Sequence, residues 1–219
     1  MGLHLNFELR LSANTAPAAV VEILRELRTF MLTQPFATVS QLLAVCDSDE
    51  SIAPRRQALR LYAGIVATPH DEDRPPLTGD PDSAIGFFVN PGQGCETAFF
   101  ALLRRHDASG VPADWYWQCS CKTQYASAVS DAHFITCHTS LINVLDHASQ
   151  LGLHVVVGDE GHYWETRDTK RLLREVGYMN HLVARVVGAL SDAMGNANAR
   201  IQAPIIEHPR FERLEMGEE

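Results

Sequence analysis

Thiols, imidazoles, carboxylates and indoles crowd residues 114–168 of this 219-residue chain. All three Trp, three of the five Cys and five of the ten His lie there, which makes that stretch the candidate for a site. Such groups are costly to bury without partners. Cys119-Ser120-Cys121 places two sulfurs on one face of an expected strand, about 7 Å apart by strand rise. With Cys137, His138, His133 or His162 close by, they could hold zinc, which takes thiolate and imidazole ligands tetrahedrally. The spacing is not the usual C-x2-C, and no second pair follows; reduced cysteines in a core strand are the plainer account. A thiolate–imidazole pair is the second chemistry. Cys137 lies near an expected helix start, where peptide dipoles favour the thiolate, and Cys95 precedes another. His133, His138 and His162 are the candidate bases.

Asp159-Glu160-Gly161-His162-Tyr163-Trp164-Glu165 follows an apolar run, and loops at strand ends carry function more often than cores do. Asp159, Glu160 and Glu165 beside His162 could perform acid–base work or bind a hard cation. The plainer account has solvated acids, a turn at Gly161, a packed Trp164 and a surface pair between Glu165 and Arg167. Lys122-Thr123-Gln124-Tyr125 is dense in donors; Lys122 and Arg167 would anchor an anion, with Gln124, Tyr125 and Trp164 completing a ligand-binding set. Asn90-Pro91-Gly92-Gln93-Gly94-Cys95-Glu96 faintly suggests a phosphate-cradling loop but lacks the required spacing, so a plain turn is the better reading. His4, His70, His106 and His208 read as surface residues.

Periodicity supplies the elements that must position these groups. Leu3, Leu5, Phe7, Leu9 and Leu11 alternate with polar residues, which marks a half-buried strand and a sheet with one wet face. Asn14-Thr15-Ala16-Pro17 caps a helix with Val20, Leu24, Leu27 and Met31 inward. Residues 36–45 favour a strand, 47–57 a loop, and 59–66 another strand. Residues 69–83, rich in Pro and acids, are expected as an exposed loop dividing a 1–68 lobe from an 84–195 lobe. Ala84 to Val89 reads as a strand, and Thr97 to Arg105 as a helix with Phe99, Leu102 and Leu103 inward. Trp115 to Tyr125 reads as a strand. His133 to Gln150 is a helix with a His138, Leu141, Val144, Leu145, Ala148 stripe. Leu153 to Val157 reads as a strand buried on both faces. Asp168 caps a last helix with Leu172, Val176, Met179, Val183, Val186, Val187 and Leu190 inward. Residues 196–219 are expected to be a loosely held tail. The order predicts an α+β fold: a mixed, mostly antiparallel sheet with helices packed on one face.

The composition narrows the partners. A formal net charge of -9 argues against nucleic acid, whose phosphates need a basic face. No run of eighteen apolar residues is present, so no membrane-spanning helix is expected. Five cysteines with no export-type start fit reduced thiols in a cytoplasm.

Cys121-Lys122-Thr123-Gln124-Tyr125-Ala126-Ser127, then Cys137-His138 with Leu145-Asp146, then Asp159-Glu160-Gly161-His162-Tyr163-Trp164-Glu165 resemble a group of bacterial hypothetical proteins. The likeness covers roughly the second half of the chain and implies no activity. Taken together, the residues favour a small-molecule or metal-binding protein, or a hydrolase, with its cleft in the second half. The rival readings are an acidic module that captures a basic protein partner through an aromatic patch, and a structural homodimer.

Overall fold

The computed structural model describes residues 2–46, 78–106, 109–194 and 203–216. In chain order the elements are β1 (His4–Leu11), α1 (Pro17–Met31), β2 (Thr38–Val39), β3 (Leu43–Cys46), β4 (Thr78–Asn90), β5 (Ala98–His106), β6 (Trp115–Lys122), a 3-10 turn (Gln124–Ala128), α2 (Asp131–Gln150), β7 (His154–Asp159), the one-turn α3 (Tyr163–Thr166), α4 (Thr169–Met194), a second 3-10 turn (Pro204–Glu207) and α5 (Phe211–Met216).

The alternation in β1 acts as expected. Leu5, Phe7 and Leu9 are buried, while His4, Asn6, Glu8 and Arg10 take the opposite, wetter face. β1 lies between β6 and β7 and is antiparallel to both. The sheet runs β2-β4-β5-β6-β1-β7, with β3 also paired to β4. Each of these pairings is antiparallel. β6 and β7 therefore point the same way, and α2 carries the chain across β1 to join them. α1 and α2 pack on one face, where Val20, Leu24 and Leu27 meet Leu141, Val144, Leu145 and the inward sheet residues in one core. The fold is α+β. No helix among the described residues is long and apolar enough to cross a membrane.

Local chemistry sets the helix starts. Pro17 opens α1 at a position whose N–H would have no helical partner, and Ala16 caps it without a side-chain bond. The Ser130 hydroxyl accepts from the His133 N–H to cap α2, and Asp168 accepts from Lys170 to cap α4.

Several expectations are corrected. Residues 97–105 are not a helix: Ala98 to Leu103 are buried without a break in β5, paired to β4. A short apolar run buried on both faces carries no period, so helical spacing within it was accidental. The expected 69–83 loop ends earlier, since residues 78–83 belong to β4; its remainder, with the 47–57 loop and the 59–66 strand, lies outside the described residues. β7 is an edge strand with Val156 exposed, not a strand covered on both faces. Val186 and Leu190 of α4 are exposed. In the expected loose tail, Ile205 and Leu214 are buried against Val183, Ala184 and Val187 of α4.

Candidate functional site

The three segments singled out in the sequence do meet, but around a dry knot. The Thr123 Oγ1 lies 2.9 Å from His138 Nδ1, and His138 Nε2 lies 3.1 Å from Asp159 Oδ1. The side chains of His138 and Asp159 are 0% exposed, as is Thr123, which decides that no substrate reaches the line. The order is hydroxyl, imidazole, carboxylate, as in nucleophile–base–acid triads; here it bolts the end of β6 to α2 and the end of β7. The His138 Nε2 contact is close but misaligned, an ion-pair contact rather than a well-formed hydrogen bond. An ionised Asp159 only accepts, so the Nε2 proton of His138 faces it, and Nδ1 pairs with the Thr123 hydroxyl. Asp159 also accepts from the N–H groups of Gly161 (2.7 Å) and Trp164 (2.8 Å). Burial pushes this carboxyl up, and His138 with the two backbone donors outweighs it, leaving it below the ordinary carboxylate value.

The thiols separate into two environments. Cys121 is buried on the inner face of β6, and its S–H donates to the Glu96 carbonyl at 3.2 Å. Burial raises its thiol strongly, and raises Cys119 to about 11. Cys137 packs instead beneath the 91–96 loop. Its Sγ is 3.6 Å from His133 Nε2, which also bonds the Gln93 carbonyl at 3.0 Å. The glycines of that loop serve close packing rather than an anion: a Cβ on Gly92 would stand 2.6 Å from the Cys137 sulfur, and one on Gly94 2.4 Å from the Tyr125 carbonyl oxygen. Among the described residues no three His, Cys, Asp or Glu side chains are arranged to hold a metal, so the zinc reading of Cys119, Cys121, Cys137, His138 and His162 finds no support there.

The 160–167 stretch is tied into the surface. Glu160 accepts from the His4 N–H at 2.7 Å. His162 and Arg167 flank α3 in the left-handed region, at φ 54° and 53°. His162 Nδ1 is 4.0 Å from Glu165. Arg167 makes a two-pronged pair with Asp146, at 2.8 and 2.9 Å, and lies 4.8 Å from the Trp164 ring centre. The expected Glu165–Arg167 pair is thus replaced by Asp146–Arg167. The Lys122 ammonium stands 5.6 Å from the Tyr125 ring centre. Gln124 is buried and structural: its side-chain oxygen accepts from Leu3 N–H and its amide donates to Asn180.

That amide network leads to a cleft the sequence did not suggest. Asn180 donates to the Ser127 hydroxyl at 2.9 Å, and Ser127 donates to the Gln124 carbonyl at 2.7 Å. Ser127 and Asn180 line a cleft of about 470 Å³ between α4, the start of α2 and the C-terminal segment. Arg174 and His181 of α4, Arg210 and Arg213 line its other sides, and Asp131 is the one carboxylate among the lining residues. His181 Nδ1 is 3.0 Å from the Leu214 carbonyl, which ties α5 to α4. His208 is buried, against the surface placement expected for it; its Nδ1 accepts from the Arg210 N–H.

No family model, curated protein or solved structure matches the chain.

The sequence pointed to Thr123 only through its dense donor neighbourhood. Nothing local pointed to Arg174, Arg210 and Arg213, because they come together only when the C-terminal segment docks.

Proposed function

We propose that the chain is a binding protein for a small anionic molecule bearing a carboxylate or phosphate, held in the α4–α5 cleft. The observation that carries this reading is the charge of the cleft wall: three guanidinium side chains and one carboxylate line a single cavity in a chain of net charge -9. Cationic side chains gathered along one cleft wall raise the local positive potential that an anion would meet. The planar, multi-donor guanidinium heads match carboxylate and phosphate oxygens two at a time. The volume lies within the range of small-molecule pockets. Leu173, Val176 and Tyr178 give it an apolar side, so the ligand would have an apolar or ring-bearing body.

The buried Thr123–His138–Asp159 line supports a binding protein over a hydrolase, since it is sealed from solvent. The test is calorimetric titration with orthophosphate, citrate and a nucleoside monophosphate, each against wild type, Arg174→Gln and Arg210→Gln. Saturable binding of at least one anion, weakened about tenfold or more by either substitution, is expected, since a charge-assisted bond contributes roughly 1.5–3 kcal/mol. Absence of binding across the panel, or binding indifferent to both arginines, would end this reading.

A further inference from the structure

Away from that cleft, the sheet ends on β7, a six-residue strand paired on one side only. We propose that β7 pairs antiparallel with β7 of a second copy of this chain, joining two sheets into one across a two-fold axis at Val156. The direction of the backbone groups carries the argument. In β1 they point alternately to its two neighbours. The Thr123 N–H donates to the Leu3 carbonyl and the Glu160 N–H to the His4 carbonyl. Odd-numbered residues of β1 therefore serve β6, and even-numbered ones serve β7. Asn6, Glu8 and Arg10 stand opposite Gly158, Val156 and His154. The N–H and C=O groups of Val155 and Val157 thus point away from β1, and they meet no hydrogen-bond partner among the described residues.

A second copy satisfies all four groups at once. With the axis at Val156, Val155 exchanges both its bonds with Val157 of the second copy, and Val157 does so with Val155 there. Val156 meets its own equivalent in the non-hydrogen-bonded pair, where Cα atoms lie about 4.5 Å apart. Val155 and Val157 are half-buried at the margin of the core, and the join covers them with β-branched cross-strand neighbours. On the other face His154 comes opposite Gly158, so a ring meets a position without a side chain. No Asp, Glu, Lys or Arg lies between His154 and Gly158, so two chains of net charge -9 set no like charges opposite each other along the join. Neither a proline nor a bulge guards this edge, whose register with β1 runs unbroken. The far side of the sheet is blunted instead, by β2 of two residues and β3 of four. A foreign strand would supply the main-chain bonds but not this matching of a sequence to itself.

Sedimentation equilibrium of the full-length chain should give twice the 24.3 kDa mass of one copy. Val156→Lys sets two ammonium groups against each other at the axis and should sediment as a single copy. Val156 is 44% exposed, so that variant should keep the circular dichroism spectrum of the wild type. A second variant fixes the register whatever the first does. In Val156→Cys the two new thiols lie within disulfide reach. Mild oxidation should link two copies through position 156, reversed by dithiothreitol and mapped by mass spectrometry of unreduced peptides. Val129→Cys, at another exposed valine, should link at least tenfold more slowly. The proposal is overturned by a single-copy mass for the wild type at every concentration at which it stays in solution, by a dimer indifferent to Val156→Lys, or by a link no faster at position 156 than at 129. Native mass spectrometry that finds a peptide of another protein on one copy would overturn it too. None of these measurements reads the arginine cleft, so either idea can fail alone.

Discussion

Asp159 is the buried charge on which the join between three segments turns. Its carboxyl is held below 3.8 in the fold, with burial opposed by His138 and by the Trp164 and Gly161 N–H groups. A depressed carboxyl stabilises the fold above 3.8 and loses that contribution as pH falls through the lower, folded value. Urea unfolding across an acid series should therefore show wild type losing stability below 3.8 more steeply than Asp159→Asn. Removing one partner strands the other in a dry interior, so Asp159→Ala should cost about 3–5 kcal/mol. The double variant with His138→Ala should cost less than the two single losses added, by roughly 1–3 kcal/mol; strict additivity would show that imidazole and carboxylate do not interact. Two glycines make a second comparison. Gly94 and Gly152 both have φ in the left-handed region, at 81° and 89°, but only at Gly94 would a Cβ strike backbone. Gly152→Ala should lose roughly 1–2 kcal/mol, the conformational term alone. Gly94→Ala should lose clearly more, because the 91–96 loop must lift off Tyr125; equal losses in denaturant titrations would refute the packing account.

At the scale of elements, legibility followed the regularity of the local period. β1 and β6 alternate strictly, and α1 and α2 carry apolar stripes with a starting proline or a cap, so their inward faces are legible in the sequence; β6 ends at Lys122 rather than Tyr125, and α4 is legible as a helix although Val186 and Leu190 of its expected stripe are exposed. β5 was misread because Ala98 to Leu103 offer no polar residue to set a period. The C-terminal segment was misread because its anchors, Ile205 and Leu214, are too few for a pattern; they find their partners on α4. The candidate site divided the same way. Thr123, His138 and Asp159 lie in segments the sequence had marked, yet no spacing could show that their meeting place is dry. The cleft needed Arg174 and the Arg210–Arg213 pair from separate elements, which is tertiary information. The docked segment makes its own prediction. Burial, with Arg210 beside it and Asp131 opposing, lowers His208 below 6.5. A depressed histidine stabilises above 6.5 and loses that contribution as pH falls. The amides of Ile206, His208 and Leu214, bonded to Ala203, Ile205 and Arg210, should lose hydrogen-exchange protection on acidification below 6.5, while those of β1 keep theirs. His208→Gln should remove the pH dependence of that protection.

Over the whole molecule, two features bear on how the protein works as a unit. Its net charge of -9 does not forbid an anion in the arginine cleft, since charges farther than about 8 Å are largely screened at physiological ionic strength. The other feature is connectivity. The first strand in sequence is interior to the sheet: Leu5 pairs with Cys121 on one side and with Asp159 on the other. The two halves therefore share one sheet, and the segment that positions His138 and Asp159 depends on the first strand of the chain. A chain beginning at Pro17 would leave β6 and β7 without their common partner, exposing the inner faces around Trp117, Cys121, Val155 and Val157. An isolated pair of sheet edges is a poor substitute for a central strand, and exposed edges favour aggregation. Such a chain should show no cooperative thermal transition by tryptophan fluorescence. A synthetic peptide of residues 1–16 should restore the transition in a concentration-dependent way, because binding to the folded state alone shifts the equilibrium by mass action. A peptide in which Phe7 is replaced by Asp should not, since that side chain stacks on Phe100 at 4.7 Å in the core. Cooperative melting of the shortened chain without any peptide would show that the second half folds alone and that β1 is only laid upon it.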